Sequence, residues 1–314
     1  MTDKKILVIQ PLPGIGDLLW FDVHMQTLAE RAPTKRISLM TKKRSLAMDV
    51  FKDSPYVEDI LWVDPKDSLN LFSLVKDLRK HAFTEAWILH ASWKYALAAS
   101  LVRIPKIYGY GKGWTKFLLT GKKLTSQELK QHPIARATAL LKKNGIPLKK
   151  DPKISVSEAL KESIKKKFSK IKHPWIVLGI GGSEPQKKWP IASFIELAQW
   201  LKSQKASVFI LGGKNERAEA RSLVHKVKDT HAVTDLSLSE VLAFLDLCDG
   251  FIGNDTGTLN MAATLNKPTI GLFLASPVLK YRPTLYAVTP DENGKIFPQK
   301  VIHMIEDKKI LGRK

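Results

Sequence analysis

The chain has 314 residues, 44% of them hydrophobic, which is the proportion of an ordinary globular protein and enough for two α/β domains with their own cores. Lys and Arg outnumber Asp and Glu by 51 to 30, a formal charge of +21 that speaks to partners rather than fold: phosphates, nucleic acid or the anionic face of a membrane. The one cysteine, Cys248, excludes an intrachain disulfide and a cysteine metal cage and points to a reducing compartment.

The start of the chain reads as a strand, not a leader. Ile6–Ile9 is too short for the apolar region of a signal peptide, and Pro11, Pro13 and Gly14 interrupt it at once. As a continuous apolar run, Lys5–Gln10 fits a parallel strand buried on both faces. Helical spacing of Leu18, Leu19, Phe21, Met25 and Leu28 predicts one helix over Asp17–Arg31. Arg36–Met40, Asp59–Val63 and Ala86–Leu89 read as further strands with helical segments between them. The longest apolar stretch, near Tyr95–Val102, falls far short of the roughly 20 residues a spanning helix needs. Around Lys143–Pro152 the pattern gives way to a polar, Pro- and Gly-bearing linker, which places a domain boundary between 1–150 and 151–314.

The alternation then restarts. Trp175–Gly179, Ser207–Leu211, Gly250–Gly253 and Thr269–Phe273 read as strands, each ending in small or polar residues, and Pro190 marks a helix start. Repeated βα units predict an α/β fold of two Rossmann-like, doubly wound parallel-sheet domains. Such sheets bind ligands at the carboxyl ends of their strands, so the loops there are where chemistry is sought. The dense lysines of Lys161–Lys172 are by contrast a solvated helix face.

Four loops stand out. Gly14-Ile15-Gly16-Asp17 follows the first strand, but Leu19 stands where a dinucleotide fingerprint needs its third glycine, so that reading fails. Asp17 is then either a plain helix cap or a general base at the mouth of a cleft. Gly179, Gly181, Gly182 and Ser183, followed by Lys187 and Lys188, combine backbone N–H groups with cationic charge, a phosphate-binding combination at a strand end. Asn254-Asp255-Thr256-Gly257-Thr258 opens a helix whose first N–H groups and dipole favour an anion; the alternative is an Asp cap with a Thr-rich first turn. Glu216, after Gly212-Gly213, is either a ligand for ribose hydroxyls or an exposed carboxylate. The eight histidines show no paired metal spacing, and no zinc site is expected.

Taken in order, these blocks resemble glycosyltransferase family nine, the bacterial lipopolysaccharide heptosyltransferases. Ile6–Ile9 with Gly14–Asp17 carries the match, as do Leu89-His90-Ala91-Ser92 with Ile107-Tyr108-Gly109-Tyr110, Gly181-Gly182-Ser183 through Lys187-Lys188-Trp189-Pro190, and Asn254–Gly257 through Ala262-Ala263 to Lys267-Pro268 and Leu272-Phe273. The resemblance implies the GT-B fold, with two domains facing a cleft, the acceptor on the N-terminal domain and a nucleotide sugar on the C-terminal one. It implies an inverting transfer that uses no metal and no cofactor, and the sequence has no Asp-x-Asp pair of the metal-dependent glycosyltransferases.

By position, the resemblance makes Asp17 the base, Lys187 the lysine on the donor phosphates, and Glu216 the acid near the ribose. It gives Gly181, Gly182, Ser183, Lys188, Asp255, Thr256, Gly257 and Thr258 to the donor, and Gly14, Gly16, His90 and Ser92 to the acceptor. Asn260 replaces a histidine common in the family, and Ala275-Ser276-Pro277 stands where Thr-x-Pro is frequent. Both departures bear on the donor sugar, with ADP-heptose the first expectation. The implied partner is an anionic lipopolysaccharide precursor, the implied place the cytoplasm with peripheral contact at the inner membrane. Trp93, Lys94, Tyr95, Lys112, Trp114 and Lys116 are candidates for that contact, or simply a basic surface loop. A nucleotide-sugar epimerase of the same fold and, further off, a basic nucleic-acid-binding protein are the rival readings; no nucleic-acid module is recognised.

Overall fold

A computed structural model describes residues 4–63, 71–279 and 281–312, and the chain divides into two compact units, 1–155 and 156–314.

The first unit runs β1 (Ile6–Ile9), α1 (Ile15–Leu19), α2 (Asp22–Ala29), β2 (Ile37–Lys42), α3 (Ala47–Phe51), β3 (Val57–Val63), α4 (Leu71–Arg79), β4 (Glu85–Ile88), α5 (Trp93–Leu101), β5 (Lys106–Gly109), α6 (Ser126–Leu129) and α7 (Pro133–Lys143). Its sheet has the order β3-β2-β1-β4-β5, and every pairing is parallel. The central strand β1 is Ile-Leu-Val-Ile, buried on both faces. Each such side chain contributes about 1.5–3 kcal/mol by leaving water.

The single helix expected over Asp17–Arg31 is two. The chain turns at Trp20 and Phe21, where Phe21 N–H bonds to Leu18 O before α2 begins. Nearly every residue of α2 is buried, polar Asp22, His24 and Gln26 included. A helix covered all round has no apolar stripe, so helical spacing could not locate the break.

The second unit continues with α8 (Glu158–Lys167), β6 (Trp175–Gly179), α9 (Ile191–Ser203), β7 (Ser207–Leu211), α10 (Arg217–Lys226), β8 (Thr230–Val233), α11 (Leu238–Leu247), β9 (Gly250–Asn254), α12 (Gly257–Thr264), β10 (Thr269–Leu272), β11 (Leu285–Val288) and α13 (Pro298–Asp307). Its parallel sheet has the order β11-β10-β9-β6-β7-β8. Counted from the first strand of each unit, both sheets wind outward in one direction and then the other, the doubly wound arrangement. The reversal lies between β1 and β4 in the first sheet and between β6 and β9 in the second. At the second reversal the strands approach closely: a Cβ built on Gly253 would lie 2.6 Å from Gly179 O, so this position tolerates no side chain.

Among the described residues, no helix is long and apolar enough to cross a membrane. Cys248 is buried, its Sγ 3.1 Å from Phe244 O, and burial pushes the thiol pKa well up, which leaves it an inert packing residue.

Candidate active site

The candidate residues fall into one cluster in each unit, both at the carboxyl ends of strands.

In the second unit the organising residue is Asn254, the last of β9 and fully buried. Its Oδ1 accepts from Trp189 N–H at 2.9 Å, and its Nδ2 donates to Ile180 O at 3.1 Å and Gly181 O at 3.0 Å. One side chain therefore ties the Gly-rich loop after β6 to the end of β9, across the point where the strand order reverses. Buried polar groups must be paired, and here the pairing fixes two loops against each other. The motif containing Asn254 was legible, but its bridging role was not.

Glu216 ends the 3-10 turn Lys214–Glu216 after β7 and is buried, so the exposed alternative does not hold. Its Oε1 accepts from Lys188 Nζ at 2.9 Å and its Oε2 from Gly213 N–H at 3.0 Å. Each carboxylate oxygen keeps a lone pair, enough for two neighbouring hydroxyls. A Cβ built on Gly181 would lie 3.8 Å from Glu216 Oε2, which places the Gly-rich loop beside the carboxylate. The stem of Lys188 covers Gly182. Ser183 is exposed at the tip of the loop.

Lys187 closes the 3-10 turn Pro185–Lys187, and its Nζ is 2.8 Å from Glu184 Oε1. That hydrogen bond first, and then the charges of Glu184 and Asp255, raise its pKa above the ordinary lysine value, so it is a firm cation. Its neighbour Asp255 stands just before α12. The cap of α12 is not Asp255, as the plain alternative had it, but Thr256, in extended conformation with no side-chain cap bond. Instead Thr256 Oγ1 meets Asn254 O at 3.3 Å and Thr258 Oγ1 at 3.0 Å. The first turn, with Gly257 and Thr258 half-buried, is thus a helix start with no side chain from Thr256 on its N–H groups. Asn260, one turn on, is buried; its Nδ2 donates to Thr256 O at 3.0 Å and its Oδ1 accepts from Tyr281 OH. It holds the helix start and the loop after β10 together, a part that Tyr281 shares and that no sequence pattern disclosed.

In the first unit Asp17 is the third residue of α1, and its Oδ2 accepts from Gly14 N–H at 3.2 Å. It reaches back to the helix start rather than sitting at the cap position, which Gly14 holds. A Cβ built on Gly14 would lie 2.8 Å from that oxygen, so the glycine makes room for the carboxylate. Gly14 and Gly16 are both half-buried on the same turn.

His90 follows β4, and its Nδ1 accepts from Ser92 N–H at 3.1 Å, which puts the proton of the neutral ring on Nε2. Burial first, then the positive charges of Lys42 and Arg136, push its pKa down to about 4. Arg136, in α7, lies with its guanidinium 5.2 Å from the centre of the Tyr110 ring. Its Nε and the Tyr110 hydroxyl are buried with no hydrogen-bond partner among the described residues. His132, the cap of α7, is lowered by burial and then by Arg136, while Asp17 acts in the opposite sense. Arg136 therefore lies within electrostatic reach of His90 and His132, and His132 within reach of Asp17. The sequence does not disclose Lys42 and Arg136, because no motif or spacing distinguishes them among 51 basic residues.

Among the described residues, no three His, Cys, Asp or Glu side chains are grouped as metal ligands.

Comparison with known proteins fits this geometry. The model of glycosyltransferase family 9 (heptosyltransferase) matches residues 71–292. The lipopolysaccharide heptosyltransferase 2 of Salmonella typhimurium is 23% identical over 292 residues, covering 86% of this chain and 82% of that protein. Among solved structures, a glycosyltransferase family 9 protein from Veillonella parvula superposes with a TM-score of 0.80 at 18% identity, covering 98% of this chain and 97% of the other. The ADP-heptose lipopolysaccharide heptosyltransferase II of Escherichia coli gives a TM-score of 0.76 at 23% identity, covering 98% of each chain. The fold is the GT-B fold of these enzymes. With the family model spanning the whole second sheet and the β4–β5 part of the first, well over half of the chain, the chain belongs to glycosyltransferase family 9, the heptosyltransferase family, and is a glycosyltransferase.

Proposed function

We propose that this enzyme transfers heptose from ADP-heptose to an inner-core sugar of a lipopolysaccharide precursor, with inversion at the anomeric carbon and without a metal. The donor belongs to the second unit and the acceptor to the first. The observation that carries the reading is the group formed by Lys187 and the start of α12 beside the β6–β9 reversal: a cation and a helix N-terminus, placed where a doubly wound sheet binds phosphates. ADP-heptose is the sugar nucleotide in the name of the E. coli relative.

The chemistry follows from the groups available. An acceptor hydroxyl attacks the anomeric carbon from the face opposite the diphosphate, so the new C–O bond forms as the bond to ADP breaks and the configuration inverts. Asp17 takes the hydroxyl proton. Negative charge grows on the departing ADP, and Lys187 with the N–H groups of Thr256 and Gly257 stabilises it, as a divalent ion does elsewhere. Glu216 holds the ribose hydroxyls, with Gly181, Gly182 and Lys188 shaping that part of the site. His90 and Ser92, with Lys42 and Arg136 beside them, suit an acceptor that carries acidic groups. The enzyme works in the cytoplasm, against the inner membrane that carries its acceptor.

The test is calorimetric titration of ADP, UDP and GDP with a chelator present, on the native chain and on Lys187→Ala. ADP is expected to bind most tightly, and the variant to lose about 10- to 100-fold, the loss of one charge-assisted hydrogen bond. Preference for UDP or GDP would reassign the donor, dependence on added metal would remove the metal-free mechanism, and absence of binding to all three would remove the donor site.

A further inference from the structure

The residues between β4 and α6 are unlike the rest of the chain. From Ala86 to Gln127 there are seven Lys and Arg and no Asp or Glu. The same stretch bears a concentration of exposed large apolar side chains: Trp93 is 42% exposed, Leu101 49%, Trp114 50% and Phe117 80%. Large aromatics left in water at a monomer surface call for a partner, and contiguous ones most of all.

Local structure explains how they come together. Trp93, Leu97 and Leu101 are spaced four apart in α5 and so form one ridge, while Tyr95, Ala96, Ala98 and Ala99 are the buried face. After β5 the chain makes a 3-10 helix, Gly113–Phe117, fixed by the bond from Thr115 Oγ1 to Lys112 O at 2.7 Å. At three residues per turn, Trp114 and Phe117 lie on the same side of it. The Trp114 ring is 5.8 Å from that of Trp93, so helix and 3-10 turn present one aromatic surface. Lys112 and Lys116 are exposed on the same turn, and Lys116 Nζ lies 5.0 Å from the centre of the Phe117 ring. Lys122 and Lys123 are exposed just beyond.

We propose that this surface is a docking site for the anionic headgroup face of a lipid bilayer. Trp and Phe enter the interface, where one end of a large ring is wet and the other apolar, and the lysines meet acidic headgroups. The charge argues against a protein groove as occupant: Lys112, Lys116, Lys122 and Lys123 are exposed at and after the 3-10 turn, and a stretch with no acidic residue among them complements a uniformly negative plane. Both elements begin at the carboxyl edge of the first sheet, α5 directly after His90 and Ser92, so docking brings the acceptor loop to headgroup level. The inference gives the membrane contact proposed above its surface and rests on that reading for its purpose.

The experiment is sedimentation of the full chain with phosphatidylcholine vesicles, with and without phosphatidylglycerol, at low and high salt, with ADP titration of the same samples. Binding is expected on the anionic vesicles alone and is expected to weaken with salt. The double variant W114S/F117S should lose at least about tenfold in partition through lost apolar burial. K112E/K116E should lose about fivefold or more for each lysine. Reversal of Lys166 and Lys170, exposed residues that are not part of this surface, should change partition about twofold at most, the diffuse effect of net charge alone. Patch variants that partition like the native chain, equal losses from the control, or equal binding to neutral vesicles would each overturn the docking surface. Native ADP affinity in the patch variants shows that they are folded. A chain that docks through the patch but binds no nucleotide would leave this inference standing and remove the donor reading.

Discussion

Asn254 offers the sharpest test of how the proposed donor side is built. Replacing it with Ala strands the buried Trp189 N–H and removes the donor from the carbonyls of Ile180 and Gly181. Each buried group left unpaired costs about 1–3 kcal/mol, and because the three share one side chain the sum is expected near 3–5 kcal/mol. That is a large part of the roughly 5–15 kcal/mol that holds a domain together, yet it leaves a folded variant in the cold. Asn254→Asp is the more telling substitution. It keeps the acceptor for Trp189 but sets a carboxylate oxygen against two carbonyl oxygens at a fully buried position, which is worse than a gap unless the acid protonates. Its folded-state pKa would therefore be raised above the unfolded value. The stability of this variant should be greatest at low pH and fall as pH rises through that raised pKa. Urea unfolding of both variants at several pH values, followed by ADP titration in the cold, reads stability and site together. ADP affinity should fall in both, because the Gly-rich loop and the start of α12 lose their tie. Asn254→Ala within about 0.5 kcal/mol of the native stability and with native ADP affinity would refute the bridging role.

Asp17→Asn keeps an oxygen that can accept the Gly14 N–H, so melting should be unchanged while turnover falls by about 10²–10⁴-fold; near-native turnover would remove the assignment of the base. His90 has its pKa pushed from an ordinary 6.5 down to about 4, so between these values the unfolded chain binds the extra proton and the folded chain does not. Its contribution is intact above pH 6.5 and is lost as pH falls towards 4, reaching at most about 2 kcal/mol at pH 5. The melting temperature of the native chain should accordingly drop more than that of His90→Gln between pH 7 and pH 5, and parallel curves would show that His90 is not held neutral by the fold.

Much of this architecture is legible in the sequence, and what is not follows a physical rule. The four strands read in the second half are β6, β7, β9 and β10, which have neighbours on both sides and read as nearly unbroken apolar runs. The strands not read are β5, β8 and β11, all four-residue edge strands: Lys106 and His231 interrupt the first two, and β11 is a short apolar run with no period to mark it, whereas the longer edge strand β3 is legible. The loops after β6, β7 and β9 are legible because they lie next to strands in sequence and use residue types with narrow physical purposes. The bonds that assemble them are not. Asn254 to Ile180, Asn260 to Tyr281 and the field of Arg136 on His90 join residues far apart in the chain, and such pairs leave no local period or spacing.

The neighbouring lysines Lys187 and Lys188 show why structure is needed to divide the work between like residues. Lys188 packs its stem over Gly182 and pairs with Glu216, whose side chain is nearly buried, and more distantly with Glu219. A phosphate that drew Lys188 away would leave the Glu216 carboxylate buried without its cation, which costs several kcal/mol when such a pair is broken. Lys187 pairs with Glu184, a carboxylate about half exposed, and an exposed pair of this kind is worth about 0–1 kcal/mol. A diphosphate can displace Glu184 at little cost, take its place on the ammonium, and gain a cation within electrostatic reach of Asp255, just before α12. Lys188 is paired with Glu216 at 2.9 Å, and in the proposed reading it keeps that carboxylate oriented for the ribose hydroxyls. Two lysines adjacent in sequence thus face different partners, one exchangeable and one fixed, and it is the exchangeable one that suits the donor phosphates.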